Sequence, residues 1–211
     1  MQAWTVQLAT FGLGAAGWTF AEYVLHRFVF HGASAKRLGA GEHRRHHAQV
    51  DYFAPWWQKG LAALAAMSLI LPLAIFVGSG ASGVAFTLGF VAMYLTYEVL
   101  HRRAHTHPPR GPYGRWLRHN HFAHHFADPR LAQGVTTPIW DVVFSTRLPV
   151  EKVRVPRRLA LPWLVDGGGE IWPAFAGDYE LVGRRNSDAN TRRSDAEAAN
   201  ENRSPSTGTD G

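Results

Sequence analysis

The 211-residue chain has no cysteine. That excludes disulfides, thiolate metal sites and cysteine nucleophiles. It leaves the redox compartment unread, because a chain without thiols tolerates any. Acidic residues are scarce, 16 against 22 Lys and Arg, for a net charge of +6. Lys and Arg are absent from residues 1–26 and again from Gly60–Leu100. A nucleic-acid surface would interleave basic and aromatic residues on one polar face. Here the basic residues flank apolar runs instead, as they do beside a membrane, so a nucleic-acid partner is excluded. Histidine is absent after residue 125, and all 12 histidines fall between His26 and His125.

Three apolar runs stand out. Residues 2–25 are broken only by Gln, Thr and Glu22, and the run is long enough to cross a hydrocarbon core of about 30 Å. It has no basic n-region and leads straight into histidines, which predicts a retained helix rather than a signal peptide. The second run, 60–77, contains Pro72, and the third covers 84–100. The Gly/Ser turn between them predicts a transmembrane hairpin. Buried helices of a soluble α-protein are the alternative, but such helices carry a polar face, and the second run has almost none. Arg27, Lys36, Arg37, Arg44, Arg45, Lys59, Arg102, Arg103, Arg110, Arg115 and Arg118 all lie on one side of this three-span arrangement. The positive-inside rule then puts the histidines in the cytoplasm and the N-terminus outside. The expected fold is all-α: integral membrane helices with a cytoplasmic, His-rich helical cap. Residues 1–165 form the membrane domain, 166–183 a polar and aromatic extension, and 184–211 a disordered tail without aromatics. The Ala/Arg/Gly-rich composition suggests a bacterium with GC-rich DNA, and hence its inner membrane.

The histidines follow a pattern. His26 and His31 end the first run. His43, His46 and His47 form a His-x-x-His-His box, His101 and His105 a His-x-x-x-His pair, and His121, His124 and His125 a second box. On a helix, positions i, i+3 and i+4 lie within about 60° of arc, so the imidazoles of each set project together. Four converging sets can enclose two metal ions, and neutral imidazole suits Fe, Zn, Cu and Ni. His26 and His31 are about 140° apart on a straight helix. The helix must therefore end or distort between them, or each must reach a different ion. His107 and His119 fall outside the spacing and are expected beside the site or at the surface. Glu22, four before His26, and Glu98, three before His101, are placed to accept the second ring N–H of a ligand histidine, and Asp141 is a candidate for the same role. Glu42, Asp51 and Asp128 flank the boxes and share the choice between that role and plain surface acid.

These stretches resemble the fatty acid hydroxylase / sterol desaturase superfamily, most closely its fatty acid 2-hydroxylase-like branch. The resemblance rests on Glu22-Tyr-Val-Leu-His-Arg-Phe-Val-Phe-His31, Glu42-His-Arg-Arg-His-His47, Tyr97-Glu-Val-Leu-His-Arg-Arg-Ala-His105 and His121-Phe-Ala-His-His125. A downstream Trp140-Asp-Val-Val-Phe-Ser-Thr146 matches the family's Trp-Asp-x-x-Phe-Gly-Thr segment, with Ser145 in place of the glycine. The resemblance implies ten metal ligands: His26, His31, His43, His46, His47, His101, His105, His121, His124 and His125. It implies a diiron centre, with zinc able to take the same sites in purified protein. It also implies O₂ as co-substrate, a lipid substrate drawn from the bilayer and a separate electron-donor protein. Hydroxylation of a fatty acyl C–H bond is the expected reaction. Desaturation or oxidation of a sterol or carotenoid is the alternative on the same scaffold. A non-catalytic membrane metal-binding protein is the third reading, disfavoured because a transporter places ionisable ligands near the bilayer midplane.

Overall fold

The computed structural model describes residues 3–32 and 39–184. The expected disordered tail lies outside the described residues from 185 onward, as do Lys36 and Arg37. The first run forms α1, Ala3–Val24, which passes directly into a π-helical segment, Leu25–Phe30. The first His-x-x-His-His box lies on α2, Ala40–Ala48. The apolar hairpin is α3, Trp56–Val77, and α4, Gly80–Thr106. Both are longer than the apolar runs alone suggest. Ser79 caps α4 by accepting from Ser82 N–H at 3.3 Å, which starts the helix inside the Gly/Ser stretch. α4 then continues beyond the apolar run to carry His101 and His105. α5, Gly111–Phe126, carries the second box, and α6, Ile139–Val143, is a short helix behind it.

The all-α class fits, with one small addition. Strands β1, Val153–Pro156, and β2, Tyr179–Val182, pair in parallel with Val153 opposite Tyr179. They bring the 166–183 segment back against α5. The cap core forms where Phe122 and Ala123 of α5 meet Val153, Val155, Leu161, Trp163, Leu164 and Tyr179. This packing fixes α5 in rotation: its apolar face enters the core, and its histidine face turns the other way.

α3 and α4 are long and apolar enough to cross a bilayer, and none of the apolar window of α3 is buried in the protein. Leu69 and Phe76 of α3 are 70% and 87% exposed. A helix apolar on every side that leaves most of its surface uncovered is favoured in hydrocarbon, which makes this a membrane protein. α1 lies along α4 with almost no space between their backbones. A Cβ on Gly14 would stand 2.0 Å from Phe86 O, and one on Gly89 would stand 1.9 Å from Phe11 O. Above this crossing Trp18 packs its ring against Phe90, Tyr94 and Tyr97, with centroids at 5.3, 4.8 and 5.6 Å. The crossing sets the height of His26 relative to His101.

Candidate metal centre

The π segment resolves the awkward spacing of the first two histidines. His31 N–H donates to His26 C=O at 3.1 Å, an i+5 bond in place of the usual i+4. Five residues now make little more than one turn, so the two rings sit on the same side with centroids 5.1 Å apart. All ten histidines of the four sets come together, in two groups. His26, His31, His43, His47 and His124 form one, and His46, His101, His105, His121 and His125 form the other. Within each group the candidate ligand atoms lie within 4.8 Å of one another. The two boxes divide alike: the i and i+4 histidines join one group, and the histidine between them at i+3 reaches across to the other.

The chemistry of this donor set suits cations. His26 Nδ1–H donates to Gln133 C=O at 2.5 Å, His46 to Tyr52 C=O at 2.6 Å and His124 to Leu131 C=O at 2.8 Å. A carbonyl only accepts, so each Nδ1 keeps its proton and each Nε2 faces inward with a bare lone pair. His26 Nε2 meets His43 Nε2 at 3.1 Å, His101 Nε2 meets His46 Nε2 at 3.0 Å, and His105 Nε2 meets His121 Nε2 at 2.7 Å. His125 is buried with no hydrogen-bond partner among the described residues on either ring nitrogen. At most one nitrogen of each such Nε2 pair carries a proton toward the other, so every pair keeps a lone pair that a cation can take. Phe53 closes the second group from one side, 5.4 Å from His46 and 5.7 Å from His105. Phe30 stacks on His43 at 5.2 Å in the first.

Burial also keeps the imidazoles neutral, as metal binding requires. Desolvation, only partly opposed by the bond to Tyr52 C=O, pushes His46 down to about 4. The same cause takes His26 to about 3 against its bond to Gln133 C=O. His121, His124 and His125 are likewise held well below the ordinary value, first by burial and then by neighbouring histidines. A pH dependence follows. Above the ordinary histidine value of 6.5 both folded and unfolded states are neutral, and these groups contribute no slope. Below it the unfolded chain takes up protons that the folded chain refuses. Stability and metal retention are therefore expected to fall together from about pH 6.5 toward pH 4, by up to about 1.4 kcal/mol per pH unit for each such histidine. Thermal unfolding and metal content measured across this range check it, and flat profiles would refute it.

The carboxylates behave differently from expectation. Among the described residues, the hydrogen bonds of Glu22 go to a loop rather than to a ligand ring. It accepts from Val135 N–H at 2.6 Å, Thr136 N–H at 3.1 Å and Thr136 Oγ1 at 2.6 Å. Asp141 accepts from the N–H groups of Gln133 and Gly134, both at 2.8 Å, and from Thr146 Oγ1 at 2.7 Å. Both acids thus hold the 133–136 loop, which presents the Gln133 carbonyl to His26. Their support is one peptide removed from the histidine. Glu98 faces α3 and pairs with Lys59. His119, two residues before His121 and so on the opposite side of α5, packs toward Tyr179 at 6.2 Å. Glu42 accepts from Tyr52 OH, Asp128 binds Arg130, and Asp51 is exposed. The acceptors for three ligand rings are backbone carbonyls, to which side-chain spacing is blind. Asp141→Ala is expected to weaken metal retention about 10–100-fold without abolishing it, the usual cost of losing such indirect support. Competition with a chelator measures this, and unchanged retention would mean that Asp141 serves folding alone.

Residues 11–146 match the profile of the family described as "Fatty acid hydroxylase". The chain is 33% identical over 156 residues to the dihydroceramide fatty acyl 2-hydroxylase FAH1 of Arabidopsis thaliana, covering 69% of this chain and 62% of that protein. It is 30% identical over 155 residues to the fatty acid 2-hydroxylase of Mus musculus, covering 70% of this chain and 41% of that protein. The chain therefore spans less than two thirds of either relative. The fold is similar to a solved structure, "Full length scs7p (only hydroxylase domain visible)", with a TM-score of 0.56 and 24% identity, covering 71% of this chain and 58% of that one. With the histidine groups in place and most of the membrane and cap region matched, the chain belongs to the fatty acid hydroxylase family.

Proposed function

We propose that the two five-histidine groups hold two metal ions, iron in the working protein, and that the chain hydroxylates a C–H bond in the fatty acyl chain of a membrane lipid. The observation that carries this reading is the convergence of ten neutral imidazoles in two groups at the ends of α1 and α4. When loaded, such a centre would activate O₂, the oxidant, toward an unactivated C–H bond, chemistry that no acid, base or nucleophile nearby can supply. The protein's own part is positional. The carbonyls of Gln133, Tyr52 and Leu131 aim three Nε2 atoms inward. Burial excludes water from the second group and keeps the rings unprotonated. Phe30 and Phe53 wall the groups with apolar surface. Because His26, His31, His101 and His105 follow directly on apolar helices, an acyl chain can reach them from the bilayer without crossing water.

The electrons come from a separate donor protein in this reading. The topology in this reading is three spans, α1, α3 and α4, in a bacterial inner membrane, with the N-terminus outside and the histidines in the cytoplasm. The placement of Arg27, Lys59, Arg102 and Arg103 supports this orientation. The names of the relatives specify acyl 2-hydroxylation, and for this chain we adopt acyl-chain hydroxylation. Lipid profiling of a strain with and without the protein tests it. Lipids that gain a single oxygen when the protein is present support it. Lipids that only lose two hydrogens would replace it with desaturation, and an unchanged profile would remove it.

A further inference from the structure

α6 presents an apolar face that none of the described residues covers. Ile139, Val142 and Val143 stand at i, i+3 and i+4, one side of the helix, with exposures of 58%, 55% and 60%. Phe144 follows at 44%. The other side is engaged with the protein, since Asp141 is buried on the 133–134 backbone. Trp140 turns to α1, where its Nε1–H donates to Thr19 Oγ1 at 3.0 Å and its ring lies 4.7 Å from Phe20. Phe144 stacks on Tyr23 at 5.2 Å.

These contacts fix the depth of the helix. α6 runs beside Thr19–Tyr23, the last turns of α1. Trp18, next to Thr19, packs against Phe90, Tyr94 and Tyr97 of α4. α6 is therefore level with the end of the apolar part of α4. Arg102 and Arg103 lie about 7 Å or more further along that axis than Tyr97. The exposed face is also continuous, through Trp140 and Phe144, with Phe20 on the outer side of α1, itself 41% exposed. A polar solvent at this depth would sit beside a membrane-crossing helix.

We propose that α6 is a membrane foot of the cap. Its apolar face is immersed in the acyl–headgroup boundary of the leaflet in which α4 ends, and lipid is its partner. This holds whatever reaction the metal groups carry out.

The chain has no cysteine, so Val143→Cys creates a single labelling position. The full-length variant, reconstituted in phosphatidylcholine nanodiscs and labelled with an environment-sensitive fluorophore, is read against two quenchers. One is a lipid carrying a shallow nitroxide, and the other is aqueous iodide. Leu69→Cys on α3 marks the bilayer, and Arg154→Cys on β1, with a side chain 72% exposed, marks water. The label at 143 should lose emission to the nitroxide lipid and keep it in iodide, as at 69. Loss to iodide, as at 154, would overturn the proposal. Shielding from both quenchers would overturn it too, because it would mean that a second copy or another protein covers the face. Ile139→Cys reads the same face if the first variant folds poorly.

Discussion

A His125→Ala protein is expected to purify without the metal of the wholly buried group and with turnover reduced about 100-fold or more. Loss of a residue that merely orients a ligand costs about 10–100-fold, and removing a ligand costs at least the upper end of that range. His125 is the residue on which the second group closes. Its ring lies 4.5 Å from His121, 4.9 Å from His46 and 5.0 Å from His105, and stacks at 4.0 Å on His47 of the other group. Neither of its nitrogens has a hydrogen-bond partner among the described residues, so its burial is unfavourable unless it binds a cation. His124→Ala, one residue away, should empty the other group instead. His119→Ala, on the far side of the same helix, should leave metal content unchanged. Elemental analysis of the three variants separates these outcomes. If His125→Ala keeps both metals and its activity, the division into two groups is wrong.

The second large effect is steric. Gly89→Ala adds one carbon, and that carbon would stand 1.9 Å from the Phe11 carbonyl oxygen and 2.8 Å from its carbonyl carbon. Both are backbone atoms, so no rotamer change relieves the overlap, and α1 has to move away from α4. Overpacking commonly costs about 1–3 kcal/mol, and a backbone clash belongs at or above the upper end. Because α1 runs on through the π-helical segment to His26 and His31, the displacement should also cost metal in the less buried group. Gly12→Ala is the matched control on α1, since a Cβ there meets nothing within 4 Å. It should be neutral or slightly stabilising, given the better helix propensity of alanine. Thermal unfolding in detergent with metal analysis compares the pair. Equal melting temperatures would show that the helices cross less closely than the structure has them.

Much of this was legible in the sequence because helical periodicity is local. The spacings His43–His47 and His121–His125 predict clustered rings, and α2 and α5 deliver them. The α3–α4 hairpin follows from two apolar runs and a turn. What was hidden depends on distant partners or on backbone. Glu98 is bound to Lys59, 39 positions away, and nothing in the local pattern shows that partner. Glu22 stands near a histidine motif, but the loop that it and Asp141 both hold lies more than 100 residues from Glu22, and spacing does not show it. The pairing of Val153–Pro156 with Tyr179–Val182 joins segments whose alternation is too short to stand out. The π segment is an intermediate case. The five-residue gap between His26 and His31 calls for a helix end, a distortion or two different ions, and a sequence does not say which.

The two histidine groups differ in access to solvent. Every member of the second is buried, whereas His31, His43 and His47 of the first are partly exposed. Chelators and competing ions reach a bound cation only as its ligands open to water. The first group should therefore exchange its metal faster than the second, and a preparation carried through long dialysis should approach half loading rather than lose both ions at once. Such a sample would hold one slowly exchanging metal in a sealed pocket beside an emptied, refillable one. Adding a spectroscopically distinct ion to it would mark the two positions separately.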